Sequence, residues 1–183
     1  MSSLERFHYT SPADPLAQPL LDELRHEYDS RYGDVLRGLG ESGQSEIDRY
    51  PPALFTPAGG GNFVLLLRDG DPIAGGAFKQ HEDEGTAEFK RIWTRRTLRR
   101  QGLARRVLVE LEAQAQRQGY QRIYLTTGFR QPEAVGLYLD SGYTALFDRN
   151  ADPAELLKLP FEKALSPWRG VPVPAAQLEA RLG

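Results

Sequence analysis

One stretch restricts the fold more than any other. Residues 86–94 (TAEFKRIWT) read as a strand, and an arginine-rich loop follows. Ala104, Val107, Leu108, Leu111 and Ala115 then share one helical face, and Gly119 stops that helix. Residues 121–127 (QRIYLTT) return to a period of two. A strand, a helix and a strand in this order predict that 86–94 and 121–127 run parallel, joined by a right-handed crossover. The loop-to-helix junction, RRQGLA over 99–104, carries small residues at Gly102 and Ala104. A helix start offers unpaired backbone N–H groups and the positive end of the helix dipole, so the junction suits an anion such as a pyrophosphate.

The rest of the chain arranges itself around that unit. Residues 6–10 (RFHYT) form a short first strand, and Asp14-Pro15 caps a helix carrying Leu16, Leu20, Leu21, Leu24 and Tyr28 at helical spacing, with Pro19 weakening its start. Residues 33–61 are rich in Gly and Pro and read as irregular, apart from a short helix around 45–49. This segment is either a lid over a substrate or an exposed connector. Residues 62–67 (NFVLLL) and 72–80 (PIAGGAFKQ) form a hairpin about Asp69-Gly70, and Gly75-Gly76 signal a bulge or a close backbone approach. With 86–94 they make an antiparallel meander. A helix from Pro132 to Gly142, a strand over 143–148, a polar turn and a last strand over 159–165 complete a domain spanning 1–165. Residues 166–183 form a tail whose Trp168 packs on its own domain or on a second subunit.

Composition narrows the chemistry. The 183 residues include no cysteine, which excludes disulfides and thiol nucleophiles, and the three histidines are scattered, so no metal site is expected. No apolar run spans a bilayer and the N-terminus lacks a signal-peptide pattern, which makes the cytoplasm the expected location and a membrane partner unexpected. The seven arginines within 91–106 raise the possibility of a nucleic-acid surface, but the net charge of −2 and the lack of interleaved aromatics beyond Trp93 speak against it.

Two side chains near the junction could move protons. Tyr138, on the helix after the parallel strand, is a candidate general acid for a thiolate leaving group, or a core residue of an amphipathic helix. Glu88 is a candidate base acting through water, or a partner in an ion pair with Lys90. Strand alternation puts Glu88, Lys90 and Ile92 on one face and Ala87, Phe89, Arg91 and Trp93 on the other.

The combination resembles the GNAT acetyltransferase superfamily. AEFKRIWTRRTLRRQGLARRVLVELEAQAQRQGY is similar to that family's strand, pyrophosphate loop and helix, with Arg99, Gly102 and Ala104 at its signature positions. QPEAVGLYLDSGY is similar to its later motif through Ala134, Leu137, Tyr138, Gly142 and Tyr143, with Gln131 where asparagine is usual, and FEKAL resembles its last strand. The resemblance implies an α/β (α+β) fold: a mixed, mostly antiparallel central sheet with a parallel, splayed central strand pair and flanking helices. It implies acetyl-CoA as co-substrate and an amine as acceptor. The pyrophosphate would lie on the backbone of Arg100, Gln101, Gly102, Leu103 and Ala104, aided by the side chains of Arg99, Arg100 and Arg105. Arg95, Arg96 and Arg106 would form a solvated rim. The pantetheine arm would pair with Ile92, Trp93 and Thr94, a backbone N–H near Trp93 would polarise the thioester, and Gln131 would meet the cofactor. Tyr138 would protonate the thiolate, and Glu88 or water would serve as base. A catalytically inactive acyl-CoA-binding regulatory module is the alternative. An acidic, amine-seeking acceptor site is conceivable from Glu46, Asp48, Glu82, Asp83 and Glu84.

Overall fold

The computed structural model describes residues 3–38 and 49–166, with the side chains of 35–38 left aside. The tail expected beyond residue 166, with Trp168, lies outside the described residues, and so do Glu46, Asp48 and most of the short helix expected around 45–49. Strands β1 (Glu5–Thr10), β2 (Asn62–Arg68), β3 (Asp71–Gln80), β4 (Thr86–Thr94), β5 (Arg122–Gly128), β6 (Thr144–Ala145) and β7 (Lys158–Ala164) form one sheet in the order β1-β2-β3-β4-β5-β7-β6. Only the β4–β5 pair is parallel; the other neighbours are antiparallel. Helix α1 (Gln18–Gly38) covers one face; α2 (Leu103–Arg117) and α3 (Pro132–Asp140) cover the other; α4 (Pro153–Leu156) is one turn before β7.

Most helix ends carry a local signal, although α1 runs on to Gly38, past Gly33 where the irregular segment was expected to begin. Asp14 accepts from the Leu16 N–H at 2.9 Å and caps a single 3-10 turn, Pro15–Ala17. Pro19 is tolerated in the first turn of α1, where its missing N–H has no intrahelical acceptor. Gly119 and Gly142 end α2 and α3 at φ of 93° and 88°, a conformation that glycine adopts without steric cost. Asp152 accepts from the Ala154 N–H and starts α4, a turn the sequence reading missed although its Asp-Pro signal repeats that of Asp14-Pro15.

The core has two layers. Leu103, Val107, Leu108, Leu111 and Ala115 of α2 bury against Phe78, Phe89 and Leu125 on one face of the sheet. Leu20 and Leu21 of α1 bury with Phe55, Phe63, Leu65 and Trp93 on the other. Each large aliphatic side chain so buried contributes at most about 1.5–3 kcal/mol from removal of apolar surface. The glycine pair in β3 exists for this packing. A Cβ on Gly76 would lie 2.7 Å from Ile92 and 2.9 Å from Leu111, and one on Gly75 would lie 2.8 Å from Leu20.

Two expectations about the strands change. The strand expected over 143–148 shrinks to Thr144–Ala145, because β7 lies between β5 and β6 and Pro160 interrupts the ladder. Pro160 accepts from the Leu146 N–H at 2.9 Å but has no N–H to return. The strict alternation expected along β4 also fails. Ala77 pairs with Lys90 and Gly75 with Trp93, so β4 carries one extra residue, and Arg91 takes it up at φ 60°. After this bulge Ile92 lies on the Phe89 face and Trp93 on the α1 face, the reverse of simple alternation.

Candidate active site

The bulge opens the sheet. β4 pairs with β5 only from Thr86↔Arg122 to Phe89↔Leu125. Beyond Phe89, β4 stays with β3 through Trp93 and Thr94, while β5 stays with β7 through Thr126, Thr127 and Gly128. A left-handed residue without glycine's freedom costs about 1–2 kcal/mol. The Arg91 guanidinium, 4.3 Å from the centre of the Phe55 ring, offsets part of that.

The wedge between the strands is a cavity of about 300 Å³. Phe89, Ile92, Gln131, Ala134 and Tyr138 line it from the α2–α3 side. Tyr28, Tyr32, Tyr50, Lys90, Arg91 and Lys158 line it from the α1 side, and Glu27 stands at its edge. Tyr138 is 7% exposed and packs on Tyr143 and Phe161, with ring centres 5.7 and 5.4 Å away. Its hydroxyl has no hydrogen-bond partner among the described residues, although the residue lines the cavity. Burial pushes its pKa well above the usual phenol value. The group therefore remains a proton donor through neutral pH, with that donor uncommitted.

Gln131 organises the β5–α3 turn. Its Oε1 accepts from Thr127 Oγ1 at 3.0 Å, the Gly128 N–H at 3.1 Å and the Tyr32 hydroxyl at 3.4 Å. The Tyr32 hydroxyl in turn accepts from the Arg130 N–H at 3.1 Å. Only glycine fits at 128, since a Cβ there would lie 2.0 Å from the Tyr32 oxygen. Gln131→Ala removes the acceptor for these donors and is expected to lower stability by about 1–3 kcal/mol in a denaturant melt. An unchanged midpoint and slope would show that the turn does not depend on this side chain.

The loop above the wedge has the features of an anion site. Arg95 anchors it, donating from its guanidinium to the Pro72 carbonyl at 3.0 and 2.6 Å. Arg95 is thus a structural tie rather than part of a solvated rim, and Arg106 is held by Glu5 at 3.2 Å. Arg100 and Gly102 are left-handed, at φ 66° and 72°. Turns of this kind create backbone N–H concavities that hold anions. No side chain caps α2 and no acidic residue lies in its first turn. Leu103 is buried and fixes the helix start to the core, and nothing lies within 4 Å of where a Gly102 Cβ would be. A diphosphate fits such a start, because the backbone donors, the dipole and the open approach coincide.

Of the arginines assigned to this loop, Arg99 pairs with Glu27 of α1, and Arg105 donates to the Asp140 carbonyl at the end of α3. Arg100 is exposed and has no partner among the described residues. Glu27 joins the loop to the cavity, since it lines the wedge and also meets Arg99.

Other candidate residues sit elsewhere. Glu88 lies between Lys79 at 3.4 Å and Lys90 at 3.2 Å and does not line the cavity. The Trp93 indole is core, donating to Glu23 at 2.7 Å, so only its backbone could meet a ligand. Thr94 continues the β3 pairing. Glu82, Asp83 and Glu84 occupy the β3–β4 turn, at the end of β4 opposite the wedge, and do not line the cavity. The α1 wall escaped the sequence reading. Its one signal was Tyr28 and Tyr32, four residues apart on a helix.

A model of the acetyltransferase (GNAT) family matches residues 20–143. Similar solved structures include a provisionally assigned acyl-CoA N-acyltransferase from Klebsiella pneumoniae, 23% identical, with 89% of this chain and 99% of that one covered and a TM-score of 0.64. An acetyltransferase of the GNAT family from Staphylococcus aureus is 14% identical, with 89% and 100% covered and a TM-score of 0.61. A provisionally assigned streptothricin acetyltransferase from Bacillus anthracis, solved with acetyl coenzyme A, is 14% identical, with 57% and 62% covered and a TM-score of 0.50. At these identities the likeness carries the fold. No curated protein matches the sequence.

Proposed function

The chain belongs to the acetyltransferase (GNAT) family, and on that premise we propose that it is an N-acetyltransferase moving an acetyl group from acetyl-CoA directly to the amine of a small acceptor. The observation that carries the reading is the alignment of two features: an uncapped, open helix start at Gly102, and a splayed β4–β5 wedge with the free Tyr138 hydroxyl in its wall. In this reading the diphosphate lies on the N–H groups at the start of α2, with Arg100 beside it. The pantetheine arm follows the edge of β4 at Ile92, Trp93 and Thr94, which β5 has left unpaired. The thioester then reaches the wedge from the α2–α3 side, and the acceptor enters from the α1 side.

The amine nitrogen attacks the thioester carbonyl carbon; the C–N bond forms, the C–S bond breaks, and the departing sulfur takes the Tyr138 proton. The acceptor's own proton goes to water. Glu88 is poorly placed to take it, since two ammonium groups occupy its oxygens.

A pH profile of thiol release at saturating acetyl-CoA tests this scheme. The rate is expected to rise with pH as the acceptor deprotonates. It should show no falling limb up to about pH 10, the ordinary phenol pKa, since burial raises that of Tyr138 above it. A bell-shaped profile falling below pH 9 would remove the tyrosine from the acid role.

A further inference from the structure

Three arginines in and beside the loop before α2 are committed to the protein itself. Arg95 holds the Pro72 carbonyl, Arg105 holds the Asp140 carbonyl, and Arg99 holds Glu27 of α1. Of these three contacts, only that of Arg99 reaches the cavity wall, because Glu27 lines the wedge. One guanidinium nitrogen meets one carboxylate oxygen in that pair.

The α1 wall needs such a hold. Past Phe89 no pairing joins β4 to β5. The N-terminal half of α1 is anchored by apolar burial at Leu20 and Leu21. From residue 25 to 34 only Tyr32 is buried, so polar ties carry much of the attachment there. Glu23 accepts from the Trp93 indole at 2.7 Å and the Arg96 N–H at 3.2 Å, and Glu27, one turn on, takes Arg99. These contacts hold α1 to the β4 side of the wedge. Arg31 donates to Glu133 at 2.6 Å and to the Arg130 carbonyl at 3.1 Å, and Tyr32 donates to Gln131 at 3.4 Å. These hold it to the β5 side. Glu27 and Arg31 approach to 3.9 Å, so alternating charges run from Arg99 through Glu27 and Arg31 to Glu133, across the wedge. Transfer of Arg99 to a diphosphate would leave Glu27 with Arg31, which Glu133 already holds more closely.

We propose that Arg99 and Glu27 form a positioning pair, in which Arg99 holds the α1 wall of the acceptor half against the cofactor loop and does not bind the diphosphate. This step rests on the acetyl-transfer reading above. The diphosphate is left to the backbone N–H groups at the start of α2 and to Arg100. The pair helps to set the geometry between thioester and acceptor, where a displacement of about 1 Å can cost about 100-fold in rate.

Hydrogen exchange and calorimetry test this on the full chain, with acetyl-CoA as the probe. The variants are Arg99→Gln, Glu27→Gln, their combination and Arg99→Lys. Without ligand, the backbone amides of residues 27–34 should exchange about threefold faster in each Gln variant, the scale of a partly exposed ion pair. Those of 18–24 should not change, because core burial anchors them. The combination should be no faster than either single variant, since both substitutions break one contact. Arg99→Lys should restore the parent rate, because an ammonium can make the single N–O contact. Acetyl-CoA should not speed exchange at 27–34 in the parent. Its affinity for Arg99→Gln should stay within about threefold of parent, the scale of a screened charge. An affinity loss of about tenfold or more in Arg99→Gln marks that side chain as a diphosphate ligand and overturns the proposal. Faster exchange at 27–34 on adding acetyl-CoA overturns it too, and so does unchanged exchange there in both single variants. A parent chain that binds no acetyl-CoA strikes instead at the acetyl-transfer reading, and the exchange measured without ligand still decides whether the pair holds α1.

Discussion

Replacing Tyr138 by Phe lowers turnover by about 100-fold or more, the usual range for losing a positioned general acid. Acetyl-CoA affinity stays within about twofold. The substitution deletes one oxygen from a side chain whose ring is packed among Tyr143 and Phe161 and whose hydroxyl bonds to nothing else described. The fold therefore loses no hydrogen bond, and the phenyl ring retains its core contacts. What disappears is the proton offered to the departing sulfur. The measurement is kcat for thiol release together with a calorimetric titration of acetyl-CoA. Equal turnover in parent and variant would show that solvent protonates the thiolate and that Tyr138 is a packing residue only.

Gly102→Asp is expected to weaken acetyl-CoA binding by roughly 100-fold, about 2.8 kcal/mol. Gly102 is left-handed and borders empty space, so a small side chain has room to stand there. Aspartate and asparagine visit this conformation more readily than other side chains, and the backbone penalty is similar for both. Gly102→Asn is therefore the control. It places the same volume at the helix start without the charge and should lose well under tenfold. A difference between the two variants reports an anion held at the start of α2. Equal affinities in parent and Asp variant would place the diphosphate elsewhere. Circular dichroism and melting should be close to parent in both, because residue 102 packs against nothing.

The elements of the fold were legible because most of their signals are local. The strand character of 86–94, the apolar face from Ala104 to Ala115 and the stop at Gly119 are properties of short windows. Together they required the parallel pair, which is present. The hairpin about Asp69-Gly70 follows from a turn that needs positive φ, and both residues have it. The loop-to-helix junction was legible for the same reason. An uncapped helix start preceded by glycine is a property of a few neighbouring residues, and the structure leaves it open as expected.

The sequence did not reveal what depends on partners distant in the chain. An arginine at φ 60° has no local signal, and the Arg91 bulge that spreads β4 from β5 is stabilised by Phe55, which comes from a different segment. That single residue reverses the faces of Ile92 and Trp93. Glu88 reads as a base or as the ion-pair partner of Lys90; that pair is present, and a second cation, Lys79, comes from the neighbouring strand. The α1 wall meets β5 and α3 through pairs about a hundred residues apart, Arg31 with Glu133 and Tyr32 with Gln131. What the sequence by itself determined is the strand–loop–helix unit at Arg91 to Gly119 and the small residues that leave the start of its helix open, because these are local facts. The tertiary structure alone decided the wedge and the isolation of the Tyr138 hydroxyl in its wall. Those depend on which distant side chains meet, and short-range periodicity carries no information about that.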